Sequence, residues 1–232
     1  MKGVKMKLRW VVAVFGIALL ANQLYAEETL KSQKEKMSYI IGTDIGKNLK
    51  NQSIDVDANV LAKGVKDALT GGKSLLTDQE IRDTTAAFQK EMVAKQQALG
   101  EKNKKEGEAY LAENNKKKGT VTLPSGLQYK VIKAGTGKKT KPTDTVTVQY
   151  RGTLIDGTEF DSSYRRGQPA TFPANGVIPG WTEALGLMQE GAKWQLFIPS
   201  NLAYGEKGAG GQIGPNATLI FEVELVSVQD KK

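Results

Sequence analysis

All seven prolines of this 232-residue chain lie after Lys118, at positions 124, 142, 169, 173, 179, 199 and 215. Proline lacks a backbone N–H and its ring clashes with the preceding helical turn, so its distribution marks where a long helix is permitted. Residues 27–118, free of proline and rich in Glu, Lys, Gln and Ala, are strong helix formers, and this half is expected to be entirely helical. The remainder, where glycines also thicken, must be broken into shorter elements.

Three helices are legible in the first half. Met37, Ile41, Ile45 and Leu49 recur at intervals of four, giving one apolar stripe. Val60, Leu61, Val65, Ala68 and Leu69 give a second, which Gly71-Gly72 stops. A third begins at Thr77, where Thr77 and Glu80 have the spacing of a reciprocal cap, and it runs to Asn115. At about 1.5 Å per residue such a helix is about 55 Å long. Its early turns carry Ile81, Phe88 and Met92 and are expected to pack. From about Lys95 to Lys118 only Leu99, Tyr110 and Leu111 interrupt the polar residues, which predicts a solvated spacer. These stripes make a thin core for one chain. Self-association would cover what a single copy exposes; a monomeric three-helix bundle is the alternative.

The first 26 residues form a leader of their own. Lys2, Lys5, Lys7 and Arg9 precede an apolar run from Trp10, and Ala26 is a small residue at a cleavage point. Leu24 is a poor fit two residues before it, so an uncleaved anchor is the alternative. Removing 1–26 takes four of the 33 Lys and Arg and none of the 25 acids, so the net charge falls from +8 to +4. With acids interleaved throughout what remains, no concentrated basic face for phosphates is expected, which argues against a nucleic-acid partner.

The C-terminal portion reads as strands packed on one short helix. Val146, Val148 and Tyr150 alternate with polar residues, Trp194, Leu196 and Ile198 form one face of another strand, and Leu219, Phe221, Val223 and Leu225 a third. Gln128–Ala134 supplies a further strand, Asp156-Gly157 a turn, and residues 181–188 the one convincing helix.

The chain has no histidine and no cysteine. That excludes thiolate chemistry, disulfides and zinc sites built on those ligands, and no metal or cofactor is expected. Instead, Tyr150, Phe160, Trp181, Tyr204 and Phe221 sit beside Gly, Pro or a single polar residue, which favours an aromatic-lined hollow. Taken singly each is a core residue more often than a site residue. Asp161 alone reads as a turn acid, Arg166 as a surface cation, and the 208–211 glycines as a loop lacking the Lys-Ser/Thr ending of a phosphate cradle.

Order and spacing change that reading. The segments Leu123-Pro124-Ser125-Gly126-Leu127, Val148-Gln149-Tyr150-Arg151-Gly152, Asp156-Gly157-Thr158-Glu159-Phe160-Asp161-Ser162-Ser163, Val177-Ile178-Pro179-Gly180-Trp181, Leu202-Ala203-Tyr204-Gly205 and Ala217-Thr218-Leu219-Ile220-Phe221 follow one another in a fixed sequence. In this order residues 124–228 resemble an FKBP-type, tacrolimus-binding peptidyl-prolyl cis-trans isomerase domain. The helical leader from Met37 to about Lys95 resembles the dimerisation module of the macrophage infectivity potentiator (Mip) branch. The resemblance implies an α+β chain: a signal peptide over 1–26, a helical dimerisation module over 27–76, a long connecting helix over 77–118, and an isomerase domain over 119–232, a bent antiparallel sheet wrapped round one short helix.

It also implies the site. Trp181 would floor a cup whose walls are Tyr150, Phe160, Val177, Ile178, Ile213 and Phe221, with Asp161, Arg166 and Tyr204 as polar members. The Ile178 N–H and the Tyr204 hydroxyl would donate to ligand carbonyls, and Asp161 would pair with Tyr150 and Arg166. Two positions depart from the family's commonest pattern: Ala170 stands where a wall aromatic is frequent, and Gln212 precedes Ile213 where a second isoleucine is usual. The cup is therefore expected to be wider and wetter on that side. The implied partners are proline-containing polypeptides, inhibitors of the tacrolimus and rapamycin type, and a second copy of the chain. The implied location is an exported one, in the periplasm or peripherally at the outer membrane or cell surface. Two competing functions are a holdase chaperone or surface adhesin with incidental isomerase activity, and a prolyl-peptide binding module without turnover.

Overall fold

A computed structural model of the chain describes residues 29–230, and the expected leader over 1–26 lies outside them. The chain divides after Ser53 into two units. The described part of the first is dominated by α1 (Gln33–Asn51). The helix starts where it does because Ser32 and Glu35 cap each other: the Glu35 N–H donates to Ser32 Oγ and the Ser32 N–H to Glu35 Oε2. No side chain of α1 is buried, and Met37, Ile41 and Ile45 of the expected stripe are exposed.

The second unit opens with α2 (Ala58–Thr70), whose first N–H groups are accepted by Asp57, and α3 (Asp78–Asn115). The Thr77 and Glu80 pair caps α3 as its spacing predicts. At 38 residues the helix is about 57 Å long. Among the described residues no helix is long and apolar enough to cross a membrane.

The two halves of α3 reverse the expectation drawn from hydropathy. Ile81 and Phe88 of the first half are exposed, whereas the supposedly solvated second half is docked on the C-terminal sheet. Its buried positions are Gly100, Gly107 and Asn114, seven residues apart and so on one face. A methyl group on Gly107 would collide with Thr218 Oγ1, so only glycine lets the helix approach this closely. Below it the Tyr110 ring lies 6.2 Å from that of Phe197. Gln128 then closes the contact: its amide donates to the Leu111 carbonyl at 3.0 Å and accepts from Asn114 at 2.9 Å. Asn114 and Gln128 are both nearly inaccessible, and their mutual bond satisfies groups that would otherwise be costly to bury.

Beyond α3 the chain forms β1 (Thr120–Thr122), β2 (Gln128–Lys133), β3 (Thr145–Leu154), β4 (Glu159–Ser162), β5 (Ala170–Pro173), α4 (Pro179–Leu187), β6 (Lys193–Ile198) and β7 (Leu219–Gln229). The strands make one antiparallel sheet in the order β1-β2-β6-β7-β3-β4. The long strand β3 is shared at its free edge: Thr145–Val148 pair with β5, and Arg151–Thr153 with β4. Register shifts at Thr147/Val148 and Gly152/Thr153 interrupt the ladders on either side, and such irregularities bend a strand.

Helix α4 packs on the face opposite α3. Its Trp181, Ala184 and Leu185 meet Val146, Val148, Leu196, Ile198, Leu219, Val223 and Leu225, all buried. Each Val, Leu or Ile among them contributes about 1.5–3 kcal/mol on leaving water. Pro179 begins the helix, where its missing N–H costs nothing. A side chain at Gly180 would strike Ile198, so glycine sets the distance between α4 and β6.

Candidate active site

The bend of the sheet over α4 leaves an open cavity of about 790 Å³. Tyr150, Phe160, Asp161, Val177, Ile178, Trp181, Tyr204, Ile213 and Phe221, nine of the ten residues singled out in the sequence, line it. Arg166, the tenth, is not on the lining and reaches the site through Asp161 and Tyr150.

Each side chain is placed by its element. Tyr150 points inward because β3 alternates, with Val146, Val148 and Tyr150 all buried. Phe221 is opposite Gly152 in the β3–β7 register, and a side chain at Gly152 would overlap both Phe160 and Phe221. Trp181 lies in the first turn of α4 and is only 4% exposed. The Tyr150 and Phe221 rings meet it edge-on, each with its centroid 5.2 Å away. Phe160 meets Phe221 edge-on at 5.4 Å. Such perpendicular contacts are favourable through the ring quadrupoles and fix the walls relative to the floor.

The polar side is a triangle. The Tyr150 hydroxyl donates to Asp161 Oδ2 at 2.5 Å, Arg166 Nη2 donates to the Tyr150 oxygen at 2.6 Å, and Arg166 Nη1 donates to Asp161 Oδ1. The Ser162 N–H adds a bond of 2.8 Å to Asp161 Oδ1. The Arg166 guanidinium also lies 5.3 Å from the centre of the Tyr150 ring. Burial pushes the Asp161 carboxyl up, but the hydrogen bonds from Tyr150 and Arg166 and the guanidinium charge outweigh it, so the group titrates below its ordinary value. Burial, reinforced by the bond to Asp161, pushes the Tyr150 phenol up against the opposing pull of Arg166. Carboxylate and guanidinium are thus both charged at neutrality while the phenol keeps its proton.

Uncommitted donors face the cavity, the Ile178 N–H and the Tyr204 hydroxyl among them. Neither the Ile178 N–H, at the residue that caps α4, nor the Tyr204 hydroxyl makes a hydrogen bond among the described residues. A ligand carbonyl entering the cavity would meet groups with no bond to give up.

Sequence reasoning missed two residues. Phe172 lines the cavity and stands edge-on to Trp181, centroids 6.2 Å apart. It shares the inner face of β5 with Ala170, so an aromatic does wall the side expected to be wide, two residues beyond Ala170 itself. Gln212 is on the lining, as the expectation of a more polar wall requires. The second missed residue is Ser163, fully buried behind the site. Its hydroxyl accepts from the Tyr150 N–H at 2.8 Å and bonds Gln149, holding β3 where Tyr150 must point. A serine in a turn carries no sequence signal for that task, whereas the Ala170 and Phe172 alternation was available.

Comparison with known proteins agrees with this geometry. Residues 34–131 match the family model described as the domain amino terminal to FKBP-type peptidyl-prolyl isomerase, and residues 136–226 the one described as FKBP-type peptidyl-prolyl cis-trans isomerase. The chain is 51% identical to the outer membrane protein MIP of Legionella longbeachae, over 97% of this chain and 99% of that protein. It is 45% identical to the peptidyl-prolyl cis-trans isomerase Mip of Coxiella burnetii, over 92% and 94% respectively. Among solved structures, FkpA from Escherichia coli is similar with a TM-score of 0.62 and 42% identity, covering 87% of this chain and 99% of that one. These matches do not favour the holdase or adhesin alternative. With an aromatic cavity in an α4-filled bent sheet, and relatives alike over nearly their whole length, the chain belongs to the FKBP-type peptidyl-prolyl cis-trans isomerases.

Proposed function

We propose that the chain is an exported homodimer that assists protein folding by isomerising X–Pro bonds, in the periplasm or peripherally at the outer membrane surface, with Trp181, Tyr150, Phe160, Val177, Ile178, Ile213 and Phe221 receiving the proline and Asp161, Arg166 and Tyr204 setting its polar surroundings. The observation that carries this reading is the floor: a buried indole ringed edge-on by Tyr150, Phe172 and Phe221, beneath two uncommitted donors.

The reaction makes and breaks no covalent bond. Rotation about a peptide bond costs about 18–20 kcal/mol because resonance between nitrogen and carbonyl is lost at the half-turn. At an X–Pro bond it takes roughly tens to hundreds of seconds unaided. The planar amide is the more dipolar form, so an apolar cup destabilises it relative to the twisted one. Donors fixed beforehand at Ile178 and Tyr204 hold the carbonyls of the turning chain without reorganising. A millionfold acceleration requires about 8 kcal/mol from these effects together. No histidine or cysteine is needed.

Dimerisation is supported by the apolar residues that α1 and α2 leave in water. Ile41 is 53% exposed in α1, and Val60 and Leu69 are 64% and 82% exposed in α2. A stripe of this kind is what a partner helix covers. Two linked cups would grip one extended client twice, raising effective concentration without new contacts.

Exchange spectroscopy on X–Pro peptides, with and without tacrolimus, together with sedimentation velocity, tests both parts of the proposal in wild type and in Ile41→Glu. Wild type is expected to sediment as a dimer and to lose its catalysis to the inhibitor. Ile41→Glu should sediment as a monomer with unchanged turnover of short peptides. Wild-type turnover indifferent to tacrolimus would refute the site, and a wild-type monomer at micromolar concentration the pairing.

A further inference from the structure

The loop 204–214 supplies Tyr204, Ala209, Gly210, Gln212 and Ile213 to the cavity wall. Its two ends are tied together by the Asn216 N–H, which donates to the Gly205 carbonyl at 2.8 Å, and its tip by the reciprocal pair between Ala209 and Ile213. Asn216 itself has a φ of +55°, a left-handed conformation that asparagine adopts more readily than other non-glycine residues, and its neighbours fix the turn in place.

What holds it is α3. Asn103 Nδ2 donates to the Pro215 carbonyl at 2.8 Å, and Asn216 Nδ2 reaches the Gly100 carbonyl at 3.4 Å. Gly100 faces Pro215 and Asn216 so closely that an added methyl group would lie 3.3 Å from Asn216 Nδ2. Two asparagines more than a hundred residues apart therefore interlock, each giving its amide to the other's backbone neighbourhood. Neither touches the cavity.

We infer that Asn103 and Asn216 are positioning residues for substrate binding, locking the base of the 204–214 loop onto the connecting helix so that Tyr204 and Ile213 stand ready for substrate. The inference rests on the assignment of that wall to substrate binding. Because coupling between two binding events is reciprocal, a ligand in the cup must tighten the lock to the same degree that the lock improves the cup.

The test uses the full chain. Asn103→Asp keeps the shape and removes the donor; Asn216→Gly keeps the left-handed backbone and removes the amide. The double variant is expected to bind tacrolimus about tenfold more weakly, the scale of the lost hydrogen bonds, with KM raised by a similar factor and kcat within about twofold of wild type. Amide exchange should quicken at Ala209 and Ile213 while β3 and β7 stay protected. Unchanged affinity, or unchanged exchange at these amides, overturns the proposal. Should the double variant unfold, wild type answers the question by itself: saturating tacrolimus should slow exchange of α3 amides between residues 99 and 111. Tacrolimus that binds with no change there overturns the lock alone, and tacrolimus that does not bind overturns the site on which it rests.

Discussion

Trp181→Ala is expected to lower kcat/KM on X–Pro peptides by about a hundredfold, equivalent to about 2.7 kcal/mol at the transition state. It should also lower the unfolding free energy by about 3–5 kcal/mol, the usual cost of removing a buried aromatic. The reason is geometric: the indole is the surface against which Tyr150, Phe172 and Phe221 all stand edge-on, so its loss frees three walls at once. Trp181→Phe separates floor from fold. The indole N–H has no hydrogen-bond partner among the described residues, so a phenyl ring forfeits area and no bond within the chain. That variant should keep kcat/KM within about tenfold. Steady-state kinetics beside urea titrations of both variants checks the pair, and a folded Trp181→Ala with wild-type turnover would remove the cup from the mechanism.

The second large effect belongs to Asp161. Its carboxylate accepts from Tyr150, Arg166 and the Ser162 N–H together, so Asp161→Leu strands a phenol, a guanidinium and an amide beside an apolar wall. Groups left without acceptors seek water or new partners, and a fall in kcat/KM of about 10- to 100-fold is expected. Tyr150→Phe in the same background should cost less than it does alone, since Asp161, one of the hydroxyl's two partners, is already gone and only Arg166 remains. The acid limb follows from the same carboxylate. Its folded titration lies below the ordinary value, so the triangle is intact above the ordinary carboxylate range and is lost only as pH falls through the depressed one. Activity should therefore be level from neutrality down through about pH 4, the usual Asp midpoint, and decline below it. A decline beginning near pH 6 would show that another group governs the limb.

Much of this fold is legible in the sequence alone. The Thr77 and Glu80 spacing located the start of α3, and alternation located β3, β6 and β7, because caps and pleats are local and leave periodic signals. The cavity residues were legible only as an ordered set of short motifs, no one of which is distinctive alone. The docked half of α3 was invisible to hydropathy because its contact is made by Gly100, Gly107 and Asn114, whose spacing of seven is a pattern of smallness and amide chemistry. Strands β1, β4 and β5, at three or four residues each, are too short to alternate convincingly, and with β5 went Phe172.

Helix α3 and helix α4 lie against opposite faces of the same sheet, with Tyr110 on Phe197 behind it and Trp181 among its core residues in front. The handle and the mouth are thus back to back. No residue of α3 lines the mouth, so a ligand seated there displaces none of the stalk's side chains.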